Sequence, residues 1–229
     1  MSLASVAQPR EPDFLSHGRD ECDAAFRSKN ASALAGIYRE QINIAIWHRR
    51  LSKSFESQVK SILRSEQTLK IARTVTPESV GICISESLHI SGAAEFSLDV
   101  AELVDMFCCL FGRKKAGLRL TALDSAMCPR FHVDNVPCRL VTTYHGPSTQ
   151  WLPHACVNRS KLGAGNQGKP DTESGLYQDP SEIQQLGIGD VALLKGEHWE
   201  GNENAGLVHR SPEVLAGERR LLLSLDIVD

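Results

Sequence analysis

Two short stretches far apart in the chain place the severest demand on its fold. One is CPRFHVDNVPCRLVTTY, residues 128–144, in which His132 and Asp134 stand two positions apart; the other is GLVHRSP, which contains His209. On a β-strand, residues two apart point to the same face. The spacing predicts an imidazole and a carboxylate side by side, with His209 the candidate to join them. Bringing His209 back to that pair takes a barrel-like closure of strands.

Two histidines and one carboxylate on a single face leave three positions of an octahedral ion open. That is the ligand set of a non-haem Fe(II) site. His132, Asp134 and His209 are therefore the expected metal ligands, with no catalytic side chain beyond them. Arg219, at the start of the last predicted strand, is favoured to hold a carboxylate bidentately near the metal. Its neighbour Arg220 must point to the opposite face of a regular strand, so one of the two faces the interior, and Arg220 stays open as the alternative. Tyr144 and Thr142 share one strand face, and either hydroxyl can add a hydrogen bond to that carboxylate. Cys128 and Cys138 bracket the His/Asp pair, so a zinc site of thiolate and imidazole stays open as the alternative. Arg130, Arg139 and Arg210 read as ion-pairing residues, and Trp47, Trp151 and Trp199 as packing anchors. Neither a nucleophile elbow nor a glycine-rich phosphate loop is found, which sets hydrolase and nucleotidase readings aside.

At 229 residues the chain fits one sizeable core. A net charge of −3 gives no bulk attraction to nucleic acid or membrane. The first residues lack the apolar run of a signal peptide, and no segment has the ~20 apolar residues of a membrane span. The seven cysteines show no paired zinc-ribbon spacing and read as reduced thiols, which points to the cytoplasm.

Residues 1–30 are expected to be a flexible leader, and residues 31–229 a single domain with a helical N-terminal half. Ile42, Ile44 and Ile46 alternate as in a strand with one buried face. Ser52 is placed to cap a helix with Phe55, Val59, Ile62 and Leu63 on its apolar side. Residues 68–96 are ambiguous, with short alternations near Leu69–Ile71 and Ile82–Ile84. Asp99 with Glu102 resembles a capping box, followed by an apolar stripe from Val100 to Phe111 that stops at Gly112. From Gly117 onward strands dominate: 118–123, 139–144, 191–194, 207–209 and 219–227. Residues 146–181, rich in Gly, Pro, Ser and Asn, read as a long loop suited to a lid. Helices followed by strands predict an α+β fold, with helices packed on an antiparallel barrel or sandwich such as a jelly roll.

The order HVDN, RLVTTY, GDVALLKG, VH and RRLLLSLD resembles that of Fe(II)/2-oxoglutarate-dependent dioxygenases, the prolyl-hydroxylase type most of all. The resemblance implies a double-stranded β-helix (jelly-roll) core with N-terminal helices packed on it. It implies iron held by His132, Asp134 and His209, and 2-oxoglutarate held by Arg219. The substrate would be a small molecule or a protein side chain. Over roughly residues 40–229, the strings NIAIWHR, CPRFHVDNVPCRLVTTYHGPSTQWLP, GDVALLKGEHW and VHRSP with RRLLLSLD also resemble a bacterial family of unknown function. Some members of that family sit beside metal-homeostasis genes, which implies as the alternative a non-catalytic zinc-binding barrel linked to metal homeostasis.

Overall fold

The computed structural model describes residues 24–65, 68–88 and 93–228. Most of the expected leader lies outside them. Its last part does not behave as a leader: Ala25–Ser28 form strand β1 at the edge of the main sheet.

The strands that follow are β2 (Ile44–Trp47), β3 (Lys70–Val75), β4 (Ala116–Leu123), β5 (Cys138–His145), β6 (Gln150–Leu152), β7 (Gln184–Gln185), β8 (Val191–Lys195), β9 (Val208–Arg210) and β10 (Arg220–Ile227). Seven of them make one sheet in the order β1-β2-β8-β5-β10-β4-β3, antiparallel except for the β1–β2 pair. The remaining three form a small antiparallel sheet, β7-β6-β9.

Three helices cover one face of the large sheet. Helix α1 (Lys53–Ser65) starts where the Ser52 hydroxyl accepts the Phe55 N–H at 3.0 Å, and it buries Phe55, Val59, Ile62 and Leu63 as its spacing predicts. Helix α2 (Pro77–Ser87) replaces the expected alternation around Ile82–Ile84. Thr76 and Ser79 form a reciprocal capping box with Pro77 in the first turn, and this start signal outweighs a three-residue alternation. Ile84 is buried while Ile82 is exposed, as a helix requires and a strand burying one face does not. Helix α3 (Ala94–Leu110) begins five residues before the expected cap. Asp99 lies inside it, where its carboxylate accepts from Arg49 and from the Tyr144 hydroxyl instead of capping the backbone. The C-terminal stop is as expected, with Gly112 in the left-handed region at φ +60°.

Strand alternation then sorts the core into two layers. Leu118, Leu120, Leu140, Tyr144, Leu221, Leu223 and Leu225 face the helices and pack with Phe55, Phe96, Val100 and Phe107. Each such fully buried side chain contributes about 1.5–3 kcal/mol. Ile44, Ile46, Val141, Ala192 and Leu194 face the other way, against Trp151 of the small sheet, Leu186 and Leu207. Toward β10 and β4 this inner face turns polar, with Arg119, Arg139, Thr143, Arg220, Ser224 and Asp226 in place of aliphatic residues. The region read as a loop over 146–181 contains β6 and several single helical turns, and Leu176 and Tyr177 from it pack with Phe131.

Candidate metal centre

His132 and Asp134 do not lie on a regular strand. They belong to the connection between β4 and β5, and only His132 makes a β-bridge, to His209 on β9. Each backbone N–H of the two histidines donates to the other's carbonyl at 3.0 Å. Opposed residues in such an antiparallel pair project to one side, and the two imidazole centroids stand 4.6 Å apart. On its other edge β9 pairs with β6, Trp151 opposite His209, so the small sheet fixes the second histidine. This single bridge brings the distant stretches together.

Asp134 completes the group. Its Oδ1 lies 3.7 Å from His132 Nε2, and its Oδ2 lies 3.4 Å from His209 Nε2. One donor atom from each residue falls within 4.8 Å of the others. Both imidazoles are oriented by the backbone: Nδ1 of His132 donates to the Arg130 carbonyl at 2.9 Å, and Nδ1 of His209 to that of Leu207 at 3.1 Å. A carbonyl only accepts, so Nδ1 carries the proton and Nε2 presents its lone pair to the shared space. Metal-ligating histidines are held in this way. Burial opposes ionisation of Asp134, but the two imidazoles beside it and the charge of Arg139 hold it far below the usual carboxylate range. The neighbouring Asp134 carboxylate pushes His132 up, against the opposing effect of burial.

Two glycines let the connecting segment sit this close. A Cβ on Gly196 would meet the Val136 carbonyl at 2.0 Å and that of Asp134 at 2.6 Å, and a Cβ on Gly206 would meet Val133 Cγ1 at 2.4 Å. The Glu197 N–H donates to the Asp134 carbonyl at 2.9 Å, tying the segment to the end of β8.

A cleft of about 90 Å³ opens beside the histidines, lined among others by Arg139, Thr149, Arg210 and Ser211. Beneath it lies Arg220, whose side chain is 1 % exposed. Its guanidinium donates to the hydroxyls of Ser211 (3.3 Å), Thr143 (3.2 Å) and Thr149 (2.8 Å), and its buried Nε has no hydrogen-bond partner among the described residues. No carboxylate among the described residues pairs with it. Desolvation lowers it from the ordinary guanidinium value to about 10.

The carboxylate-binding assignments made from sequence are placed differently. Arg219 donates to the Leu63 carbonyl at the end of α1 and lines a separate cavity of about 740 Å³ with Lys60, Arg64 and His145. Strand β10 turns its odd-numbered residues under the helices, which leaves Arg220, not Arg219, on the inner face. Tyr144 and Thr142 also lie on the helix side. Tyr144 packs against Phe55 and Phe96 at centroid separations of 5.6 and 5.0 Å, and its hydroxyl donates to Asp99 at 2.6 Å. The hydroxyl on the inner face is that of Thr143, one residue off the expected register. Thr149 and Ser211 carried no signal in the sequence. Cys138 is buried in the helix-side core, where desolvation pushes its thiol up, and the exposed Cys128 lies in the cleft wall. Neither cysteine joins the three-residue group.

A family model described as "Protein of unknown function (DUF1826)" matches residues 28–226. The chain belongs to the DUF1826 family. The match takes in every DUF1826 residue of the site just described. No curated protein matches the chain by sequence. Among solved structures, the dioxygenase for auxin oxidation of rice is similar at 10% identity, over 89% of this chain and 82% of that one, with a TM-score of 0.49. Dioxygenase for auxin oxidation 1 from Arabidopsis thaliana, in a binary complex with 2-oxoglutarate, is similar at 8% identity over 89% and 91%, TM-score 0.49. A Pseudomonas putida prolyl-4-hydroxylase is similar at 9% identity over 85% and 96%, TM-score 0.43.

Proposed function

We propose that this protein is an Fe(II)- and 2-oxoglutarate-dependent oxygenase, a hydroxylase built on a double-stranded β-helix. The observation that carries the reading is the pairing of two features at one cleft, whose lining residues Thr149 and Ser211 accept from Arg220. A three-ligand group of two imidazoles and a carboxylate adjoins a buried guanidinium that has hydroxyl partners but no carboxylate.

The donor set suits a borderline divalent ion with open positions. Nε2 of His132, a carboxylate oxygen of Asp134 and Nε2 of His209 would hold it. The buried cation, its partnerless Nε and the three hydroxyls suit the distal carboxylate of 2-oxoglutarate, since a desolvated guanidinium is stabilised by a bidentate anion. When bound, the iron and 2-oxoglutarate would supply, with dioxygen as the oxidant, decarboxylation of the cosubstrate to succinate and carbon dioxide coupled to hydroxylation of a C–H bond. The protein's own residues position both groups and exclude water. Arg220, Thr143, Thr149 and Ser211 orient the carboxylate, and the segment packed on Gly196 and Gly206 holds Asp134. Residues 146–181 are assigned here as part of a lid. The substrate is assigned as a small molecule or a protein side chain.

The zinc-protein alternative is less well supported. A closed structural zinc site takes four protein ligands, whereas among the described residues only three converge. It also leaves the isolated charge of Arg220 without a role. Anaerobic reconstitution with Fe(II), followed by assay of 2-oxoglutarate-dependent succinate formation, tests the proposal. Succinate should form slowly even without substrate and vanish in His132→Ala. Metal uptake with neither succinate formation nor 2-oxoglutarate binding would sink the oxygenase reading.

A further inference from the structure

Asp134 lies on an irregular segment with no strand ladder around it, yet its carboxylate must keep one orientation if it is to serve as a ligand. Among the described residues, Arg139 donates a hydrogen bond to that carboxylate, from Nη1 to Oδ2 at 2.8 Å. The rest of the Arg139 guanidinium is held by Asp226, from Nε to Oδ1 at 2.7 Å and from Nη2 to Oδ2 at 3.1 Å. Asp226 in turn accepts from Arg119 Nη1 at 2.7 Å. The chain of contacts runs across three neighbouring strands, β5, β10 and β4, and Arg139 and Asp226 are direct cross-strand partners.

The charges alternate along this row: Arg119, Asp226, Arg139, Asp134. Asp134, Arg139 and Asp226 are all largely shielded, with side chains 12%, 21% and 11% exposed. A fork that grips one carboxylate with two nitrogens and presents a third to another has little rotameric freedom left. The regular sheet thus extends its rigidity to a ligand on a segment with no regular structure.

We infer that Arg139 and Asp226 are positioning residues for Asp134, Asp226 acting through Arg139 although it touches none of the three candidate ligands. The inference rests on the reading of His132, Asp134 and His209 as a metal centre. Partners of this kind govern metal affinity by about 10–100-fold.

The test is titration of Co(II) into the full-length chain, read from its visible d–d absorption. Arg139→Leu should bind Co(II) about 10–100-fold more weakly than the parent, with an altered band shape. Asp226→Asn should weaken it in the same direction but by less. Because Asp226 acts through Arg139, the double variant should bind no more weakly than Arg139→Leu alone, whereas independent structural damage would multiply the two losses. Arg139→Lys keeps the charge but offers one nitrogen in place of the planar three-nitrogen fork that grips Asp226 and reaches Asp134, so it should not restore affinity. If Arg139→Leu does not fold, Arg139→Gln and Asp226→Asn with their double variant carry the same comparison. Parent-like binding in the Arg139 variants, or losses that multiply, would overturn the inference and leave the metal centre standing. No Co(II) uptake by the parent protein would remove both.

Discussion

Replacing Arg220 with methionine separates a binding role from a structural one, because the two predict opposite patterns. Burial lowers the guanidinium from its ordinary value to about 10, which corresponds to about 3 kcal/mol against the charged form in the folded protein. That penalty applies throughout the range below about pH 10, and stability from this group rises as the pH climbs from there toward the ordinary guanidinium range. Methionine removes the penalty but also removes hydrogen bonds to Thr143, Thr149 and Ser211. At about 1 kcal/mol each, those bonds offset the relief almost completely. The apo-protein should therefore melt within about 5 °C of the parent. Affinity for 2-oxoglutarate should behave quite differently. Truncating one partner of a buried charge pair costs about 2–5 kcal/mol, or roughly 30- to 4000-fold. Calorimetric titration of 2-oxoglutarate into metal-loaded protein, alongside thermal unfolding with and without the cosubstrate, reads both quantities. Cosubstrate should raise the Tm of the parent and leave that of Arg220→Met unmoved. A variant destabilised by more than about 3 kcal/mol with parent-like affinity would show Arg220 to be structural and refute the reasoning.

The neighbouring positions make a matched set of expectations. Arg219→Met should leave 2-oxoglutarate affinity unchanged in the same titration, since its guanidinium is engaged at α1 on the other side of the sheet. Tyr144→Phe should cost about 1–3 kcal/mol in urea unfolding through its lost bond to Asp99, with metal and cosubstrate binding unaltered. Gly196→Ala places a methyl against two backbone carbonyls, so the segment carrying Asp134 must shift. A stability loss of about 1–3 kcal/mol should come with weaker Co(II) uptake, and parent-like uptake would contradict the close packing described. In timed alkylation of the native protein, the exposed Cys109 and Cys128 should react first, and the buried Cys138, its thiol pushed up by desolvation, only on unfolding.

Much of this architecture could be read from local patterns. The apolar period of α1 expresses burial of one face, which a few consecutive residues suffice to show; β2, β5 and β10 were legible as strands, although both their faces are buried. The His-x-Asp spacing and a distal histidine were legible as a candidate group because residue type and spacing are local, and the three side chains do converge. Where two signals competed within a few positions, the reading slipped: a three-residue alternation hid α2, and Asp99 passed for a cap because its partners Arg49 and Tyr144 are remote in the chain.

Sequence alone determined that Arg219 and Arg220 face opposite ways, as do Thr142 and Thr143, because a strand's period of two allows nothing else. It did not determine which member of each pair turns inward. That choice belongs to the tertiary structure, in which helices α1–α3 claim one face of the large sheet and leave Arg220 and Thr143 to the other. The meeting of His132 with His209 and the clamp of Asp226 on Arg139 were likewise decided by strand order and register. These are long-range properties, set by which faces bury together, and no window of neighbouring residues contains them.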